Sequence, residues 1–475
     1  VTIVGANVQA ANARVCASSY YGDGSNLTNI AASIVNNRVA GNFAVSANLS
    51  VGGTSNFAGA VSLASTLSVV GAATFSSKAT FNDAVSVSGV LDVAGNTSVG
   101  GSFTATGAAI FASTVTVVGN AVFTGDIQKK TAGTSNFAAG VNAGNSIESD
   151  GNYNVVVGDE AGTAITTGDN NVAVGYAALD ANTTGDNNVA VGRNSLGANT
   201  TAGNNTAVGA SALDANTTGT GNNALGYNAL SDNTTGNDNN AMGLYALGDN
   251  TTGDYNTAVG HYALRVNTTA DNNTAIGYAA LDANTTGIQN NALGASALTD
   301  NTTGNYNNAM GVSALGDNTT GDINVAVGHN ALAANITAMG NTAVGSSALK
   351  SNTIGASNVA LGLSALEDNT EGNYNNAMGL YALGDNTTGD YNTAVGYYAL
   401  RVNATADNNT AIGYAALDAN TTGASNVAVG SNALGANTTA SDNVAIGLNA
   451  LLINTEGHSN VAVGYSALSA NTSGT

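Results

Sequence analysis

The sequence predicts an elongated, all-β homotrimer: a triangular β-helix shaft followed by a parallel β-roll, or solenoid, of 19 coils of 17 residues. Three observations predict it. The run "NVAVG" at Asn171 begins again at Asn188, and the Gly that closes each such run recurs every 17 residues from Gly158 to Gly464, without insertion or deletion. Ordinary loops tolerate length changes, so a fixed period means that each residue is locked to its equivalent one coil away. N-terminal to this array, Leu49, Leu67, Leu91 and Val115 follow one another at steps of 18, 24 and 24, all multiples of six. Finally, 17 residues are too few for two helices with their turns, and "NTTG" or a close variant in every coil would break a longer one.

The elements follow in order. Residues 1–45 are read as an N-terminal cap or attachment segment, with "YYGDGSNLTNI" from Tyr20 to Ile30 as a turn-rich joint. Residues 46–127 form the shaft: "TLSVVGAATF" from Thr66 returns as "TVTVVGNAVF" from Thr114. A period of sixes fits a triangular β-helix, made of one chain's coils or of three chains wound together. Residues 128–150 lose both periods and read as a neck, and 151–475 are the 17-residue array.

Within each coil, positions are counted from the closing Gly. Asn stands four before it in every coil, Ala two before it in all but the first, and a Val, Ile, Leu or Met one before it. Leu stands four after it in all but the first, and Asn seven after it from the second coil onward. "NVAVG" and "YAAL" read as two strands and "DANTTGDN" as the return turn. The aliphatic before Gly and the Leu after it are expected to point inward. By alternation the Ala ladder, Ala173, Ala190, Ala207, Ala224 and Ala241, then faces outward, where a side chain held to Ala suggests close approach by another copy. A trimer around one axis would bury that ladder.

The repeat N-x-A-[VIL]-G-x-x-A-L-x-x-N-T-T-G resembles arrays in bacteriophage tail fibre proteins, many of which carry an endosialidase-type intramolecular chaperone. "NVAVG" and "NTAIG" are also similar to the head repeats of trimeric autotransporter adhesins, which are trimers of parallel β-rolls. The resemblance covers the chain from about Tyr20 to its end. It implies a structural fibre of a virion that projects from the particle and contacts the host surface. Its implied partners are other copies of itself, tail or baseplate proteins, and host-surface polysaccharide. The alternative is a bacterial trimeric surface adhesin or extracellular filament subunit, at the cell surface. The sequence shows no signal-peptide pattern and no apolar run long enough for a membrane span, which favours the phage fibre and no membrane insertion. The last turn carries no polar cap, so a further segment, such as a released chaperone, is expected beyond Thr475.

Composition narrows the chemistry. Nine Lys and Arg stand against 30 Asp and Glu, for a formal net charge of -21, which argues against nucleic acid or anionic membranes as partners. No enzyme is expected. His261 and His329 occupy the same coil position, and the single Cys16 has no nearby His. No cofactor or resident metal is expected. Turn carboxylates such as Asp180, Asp186, Asp214, Asp232, Asp249 and Asp254 leave Ca²⁺ as a side hypothesis, against the plainer reading that they satisfy backbone groups. The "NTT" triplets match a glycosylation acceptor, but stacked Asn gives a hydrogen-bonded ladder more simply. One and two residues after Gly the sequence varies. There lie Tyr176, Tyr227, Tyr245, Tyr262, Tyr278, Tyr381, Tyr397, Tyr398, Tyr414 and Tyr465, the candidate contacts to a surface glycan.

Overall fold

A computed structural model describes residues 62–64, 66–75, 79–92 and 132–475 in full and, between positions 32 and 111, the backbone of the other three-residue strands. Cys16, the run from Tyr20 to Ile30, and Val115 lie outside the described residues. The chain divides into two compact units, Val1–Thr124 and Gly125–Thr475.

In the first unit the chain visits three parallel sheets in turn. Leu67–Val69 pairs with Leu49–Val51, Ala73–Phe75 with Ser55–Phe57, and Ala79–Phe81 with Val61–Leu63, each at a separation of three hexads. A coil of three hexads therefore closes within one chain. Each of the four strands described in full turns its first and third residues inward, as the alternation of a strand requires: Leu67 and Val69 are buried while Ser68 is exposed. Phe75 and Phe81, from consecutive hexads, meet edge to face at 5.6 Å in this core.

The second unit is one parallel sheet of 20 three-residue strands, from Phe137–Ala139 to Val461–Val463, wound as a solenoid. Neighbouring strands pair in register exactly one repeat apart, as Ala173 opposite Ala190. Part of the expected neck belongs to this sheet. Its "NFAAG" forms the first strand, with Phe137 opposite Val155, so this opening coil is one residue longer than the rest.

Each coil contains one strand, not two. "YAAL" is a turn in which the residues two and four after Gly are left-handed, as Ala177 (φ 50°) and Leu179 (φ 55°). Alternating handedness keeps this stretch extended while its amides still reach neighbouring coils: Ala177 N donates to Asp159 O at 3.0 Å, and Leu179 N to Ser195 O at 3.0 Å. Side-chain composition suits a strand here, but a repeated left-handed Leu is a cost that only stacking imposes.

The expected facing of the strand is also reversed. The Ala ladder lies inside: Ala173, Ala190 and Ala207 are 0% exposed, and Ala224 and Ala241 are buried with them in the coil's own core. Those alanines therefore contact their own coil, not another copy. The aliphatic residue before Gly points out instead, with Met242 and Met310 about half exposed. The interior explains the reversal. Leu four after Gly and Ala three after it enter from the turn side, as Leu179 and Ala178, and leave room for only a methyl from the strand. The first coil shows the same limit by exchange. Gly162 takes the Leu position, Ile165 takes the later Asn position, and Val156 replaces Ala; a Cβ on Gly162 would lie 2.6 Å from Val156 Cγ1 and 2.8 Å from Ile165 Cδ1.

Two buried Asn ladders supply what this thin core lacks. Seven after Gly, Asn199 Nδ2 donates to Asn182 Oδ1 at 2.9 Å and to Ala202 O at 3.0 Å, closing its own return turn. Four before Gly, Asn188 Oδ1 accepts Asn205 N at 3.1 Å, and Asn188 Nδ2 donates to Ala202 O at 2.9 Å. The "NTT" asparagines are thus internal ladder residues, 0% exposed from Asn182 to Asn454.

In urea unfolding, Asn284→Ala deprives Asn267 Oδ1 of its ladder donor and Asn301 Nδ2 of one of its two acceptors and lowers stability by about 3 kcal/mol, while the exposed Thr286→Ala leaves it within about 0.5 kcal/mol. Gly294 (φ +140°) has its missing Cβ 2.5 Å from Gly311 O, so Gly294→Ala costs about 3 kcal/mol or more in the same assay, against almost nothing for Ala295→Ser.

Candidate functional site

The variable positions one and two after Gly project from the corner where strand becomes turn. The second is left-handed in coil after coil, with Ala177, Ser211 and Asn228 sharing the conformation of Tyr245 and Tyr262. The strain therefore belongs to the coil and is no mark of a special tyrosine.

All ten candidate tyrosines lie on this corner. Tyr176, Tyr227, Tyr278, Tyr414 and Tyr465 are about half exposed or more; Tyr381 and Tyr397 are less so; Tyr245, Tyr262 and Tyr398 are half-buried. The structure gathers eight of them into two groups. In the first, Tyr227 meets Tyr245 edge-on at 5.7 Å, Tyr245 lies 5.9 Å from Tyr262, and His261 lies 3.9 Å from Tyr262 and 5.7 Å from Tyr278. In the second, Tyr381 lies 5.7 Å from Tyr398, and Tyr397 lies 4.0 Å from Tyr398 and 5.6 Å from Tyr414. Tyr176 and Tyr465 stand apart from both.

Each group carries a cation that sequence reasoning missed. The guanidinium carbons of Arg265 and Arg401 each lie 4.9 Å from a ring centroid, over Tyr262 and Tyr398. Each pairs one coil further on: Arg265 Nε lies 3.0 Å from Asp282 Oδ1, and Arg401 Nε 3.2 Å from Asp418 Oδ1. The Nε contacts are too bent to be hydrogen bonds; in the first pair Nη2 donates to Asp282 Oδ2 at 3.2 Å. The signal is present in the sequence, since Arg and Asp occupy the same column in consecutive coils.

A second row of tyrosines lies outside the expected set. Tyr153, Tyr255, Tyr306, Tyr374 and Tyr391 stand five before Gly, exposed and left-handed, and Tyr374 stacks on Tyr391 at 5.0 Å. Asn, Asp, Ser or Gly fills this position in most other coils, which disguises it as ordinary turn.

The turn carboxylates divide by position. Six before Gly they accept backbone amides of the preceding coil: Asp186 Oδ1 takes Asp169 N at 2.7 Å and Asp254 Oδ1 takes Asn237 N at 2.6 Å. His458 does the same work, with Nδ1 accepting Ser441 N at 2.8 Å. Five or six after Gly they form an acidic column. Burial raises the carboxyls of Asp180, Asp214, Asp249 and Asp317 above the ordinary range, and neighbouring carboxylates such as Asp214, Asp232 and Asp300 raise them further. Asp282 and Asp418 are raised by burial despite their arginines. Among the described residues no three His, Cys, Asp or Glu side chains are grouped to hold a metal ion. An open depression of about 550 Å³ lies over Ser211, Asp214, Tyr227 and Asp232. No described helix is long and apolar enough to cross a membrane.

Comparison with protein-family models and with curated proteins gives no match for this chain.

The acidic column fixes a pH dependence. The folded chain holds these protons more tightly than the unfolded chain, whose carboxyls titrate near the ordinary aspartate value of about 3.9. Ionised, the column opposes folding, and protonation relieves it, so stability rises as pH falls from neutral toward the ordinary carboxylate range. The urea midpoint is expected to be higher at pH 4 than at pH 7.5; Asp249→Asn, which removes one of the stacked charges, raises the pH 7.5 midpoint and narrows the difference.

Proposed function

We propose that the chain is a structural fibre of a virion, a phage tail fibre that assembles as a homotrimer and holds host-surface contacts away from the particle. The observation that carries this reading is the outward aliphatic column. One before Gly, every coil places a Val, Leu, Ile or Met on the outer face of the sheet, including Leu225, Met242, Ile276, Leu293 and Met310, each 39–52% exposed. Scattered exposed apolar residues need no explanation, but a continuous stripe does. At about 4.8 Å per coil this stripe is roughly 90 Å long.

Its width supports three copies rather than two. Two sheets packed face to face would also bury the position three before Gly, where Asn223 bonds Asn240 at 3.0 Å and Asn291 bonds Asn308 at 2.9 Å along the surface. Val stands at that position in other coils, as Val172, Val325 and Val427, but where Asn or Thr stands there the stripe is one residue wide and suits convergence on a threefold axis, which covers the aliphatics and leaves those amides wet. The function is then mechanical. A rod locked at every coil transmits force and resists proteolysis, and the residues at its corners meet the surface.

Native mass spectrometry is expected to give three copies of the 46.3 kDa chain. Leu293→Lys with Met310→Lys is expected to yield monomer with an unchanged far-UV spectrum. A wild-type monomer, or a trimer indifferent to both lysines, would sink this assembly.

A further inference from the structure

We infer that the two aromatic groups are a duplicated binding site for a neutral pyranose polysaccharide, built on Tyr278 with His261, Tyr262, Arg265 and Asp282 and rebuilt on Tyr414 eight coils later. The inference rests on the reading of the chain as a surface-contacting fibre.

Each site spans three consecutive coils, opening on Tyr245 or Tyr381, and has the same construction. A floor of two touching rings, His261 and Tyr262 at 3.9 Å or Tyr397 and Tyr398 at 4.0 Å, is capped on one side by arginine at 4.9 Å. On the next coil stands a more open ring, Tyr278 at 57% exposure or Tyr414 at 54%. Beside it an aspartate holds the arginine. The blocks containing the sites are near copies, yet position 261 is His in one and its equivalent, 397, is Tyr in the other. Aromatic replaces aromatic and the ring contacts keep their distances, while the open ring stands edge-on to His261 (71°) and stacked with Tyr397 (17°), so an aromatic platform survives a change at its centre with one ring turned. In the first site His261 Nε2 is buried with no hydrogen-bond partner among the described residues.

Charge selects the ligand. The chain is at -21, which repels polyanions at long range. The arginine of each site is already neutralised by aspartate and laid on a ring, so it offers no free cation to a phosphate or uronate. What remains is flat apolar surface edged by tyrosine hydroxyls, a guanidinium and a carboxylate. A neutral sugar ring matches it: its C–H face lies on an aromatic ring, and its hydroxyls both donate and accept. Three coils make a platform roughly 10 Å long, and eight coils separate the sites by about 38 Å. One polymer can engage both, and weak single-site binding then gains by avidity.

The test is affinity electrophoresis of the full chain through native gels containing dextran, mannan, galactomannan or, as the acidic control, polygalacturonate. Retardation by at least one neutral polymer and none by polygalacturonate is expected. Tyr278→Ala with Tyr414→Ala should abolish it, either substitution alone should weaken it at least tenfold, and Tyr278→Phe with Tyr414→Phe should restore most of it. Native mass is measured on every variant. Loss of retardation at unchanged mass supports the sites. No retardation by any neutral polymer, retention by polygalacturonate alone, or indifference to the alanines overturns them and leaves the trimeric fibre standing. A change of mass in the alanine variants also overturns them, by assigning these rings to packing between copies.

Discussion

Every other feature of the array depends on a buried amide whose oxygen is met by the identical amide one coil on. Asn seven after Gly sits in a dry interior where an unpaired polar group costs about 1–3 kcal/mol. Its partner is the same residue one coil away, as Asn267 for Asn284. Inserting or deleting a residue would misplace both partners and leave a buried amide oxygen without its donor. The strict period is therefore a consequence of hydrogen bonding more than of hydrophobic packing, which amounts to one Leu and two Ala in most coils. It also explains how so small a core holds order over so many residues: the ladders bond where the core cannot.

The period was legible because the ladder residues never vary. What the sequence obscured was parity. Along a strand a one-residue error turns every side chain to the wrong face, and the larger aliphatic is the natural candidate for the inward side. Variation is the better guide. Met242, Val259 and Ile276 succeed one another one before Gly, a change of volume that a closed interior of fixed width does not accept. The constant Ala258 and Ala275 beside them are the residues the interior dictates. The second strand was obscured for another reason. Propensity describes one residue in one conformation, whereas the turn forces Leu264 and Leu281 into the left-handed region through bonds to coils on either side.

The candidate site was half legible. Tyrosines one and two after Gly stand out against Ala and Ser, and the structure gathers most of them. Arg265 and Asp282 were not connected because a full repeat of intervening chain hides a contact that the solenoid makes immediate. In such a fold the useful reading is down a column, since residues far apart in sequence are nearest neighbours across the stack. Read that way, the acidic column, the outward aliphatics and the aromatic groups each occupy their own coil positions.

The amide ladder seven after Gly also has a direction. From Asn199 to Asn471 each Nδ2 donates to the Oδ1 of the coil before it, never the reverse, at 2.7–3.4 Å. Eighteen side-chain amides are thereby aligned head to tail along the rod. Aligned amide dipoles sum, as peptide dipoles do in an α-helix, and hydrogen bonds in a chain polarise one another. The array is an electrostatic needle inside an acidic sheath, with its positive pole toward the N-terminal coils and its negative pole toward the last. Its two ends differ in charge character even where their coils share one sequence.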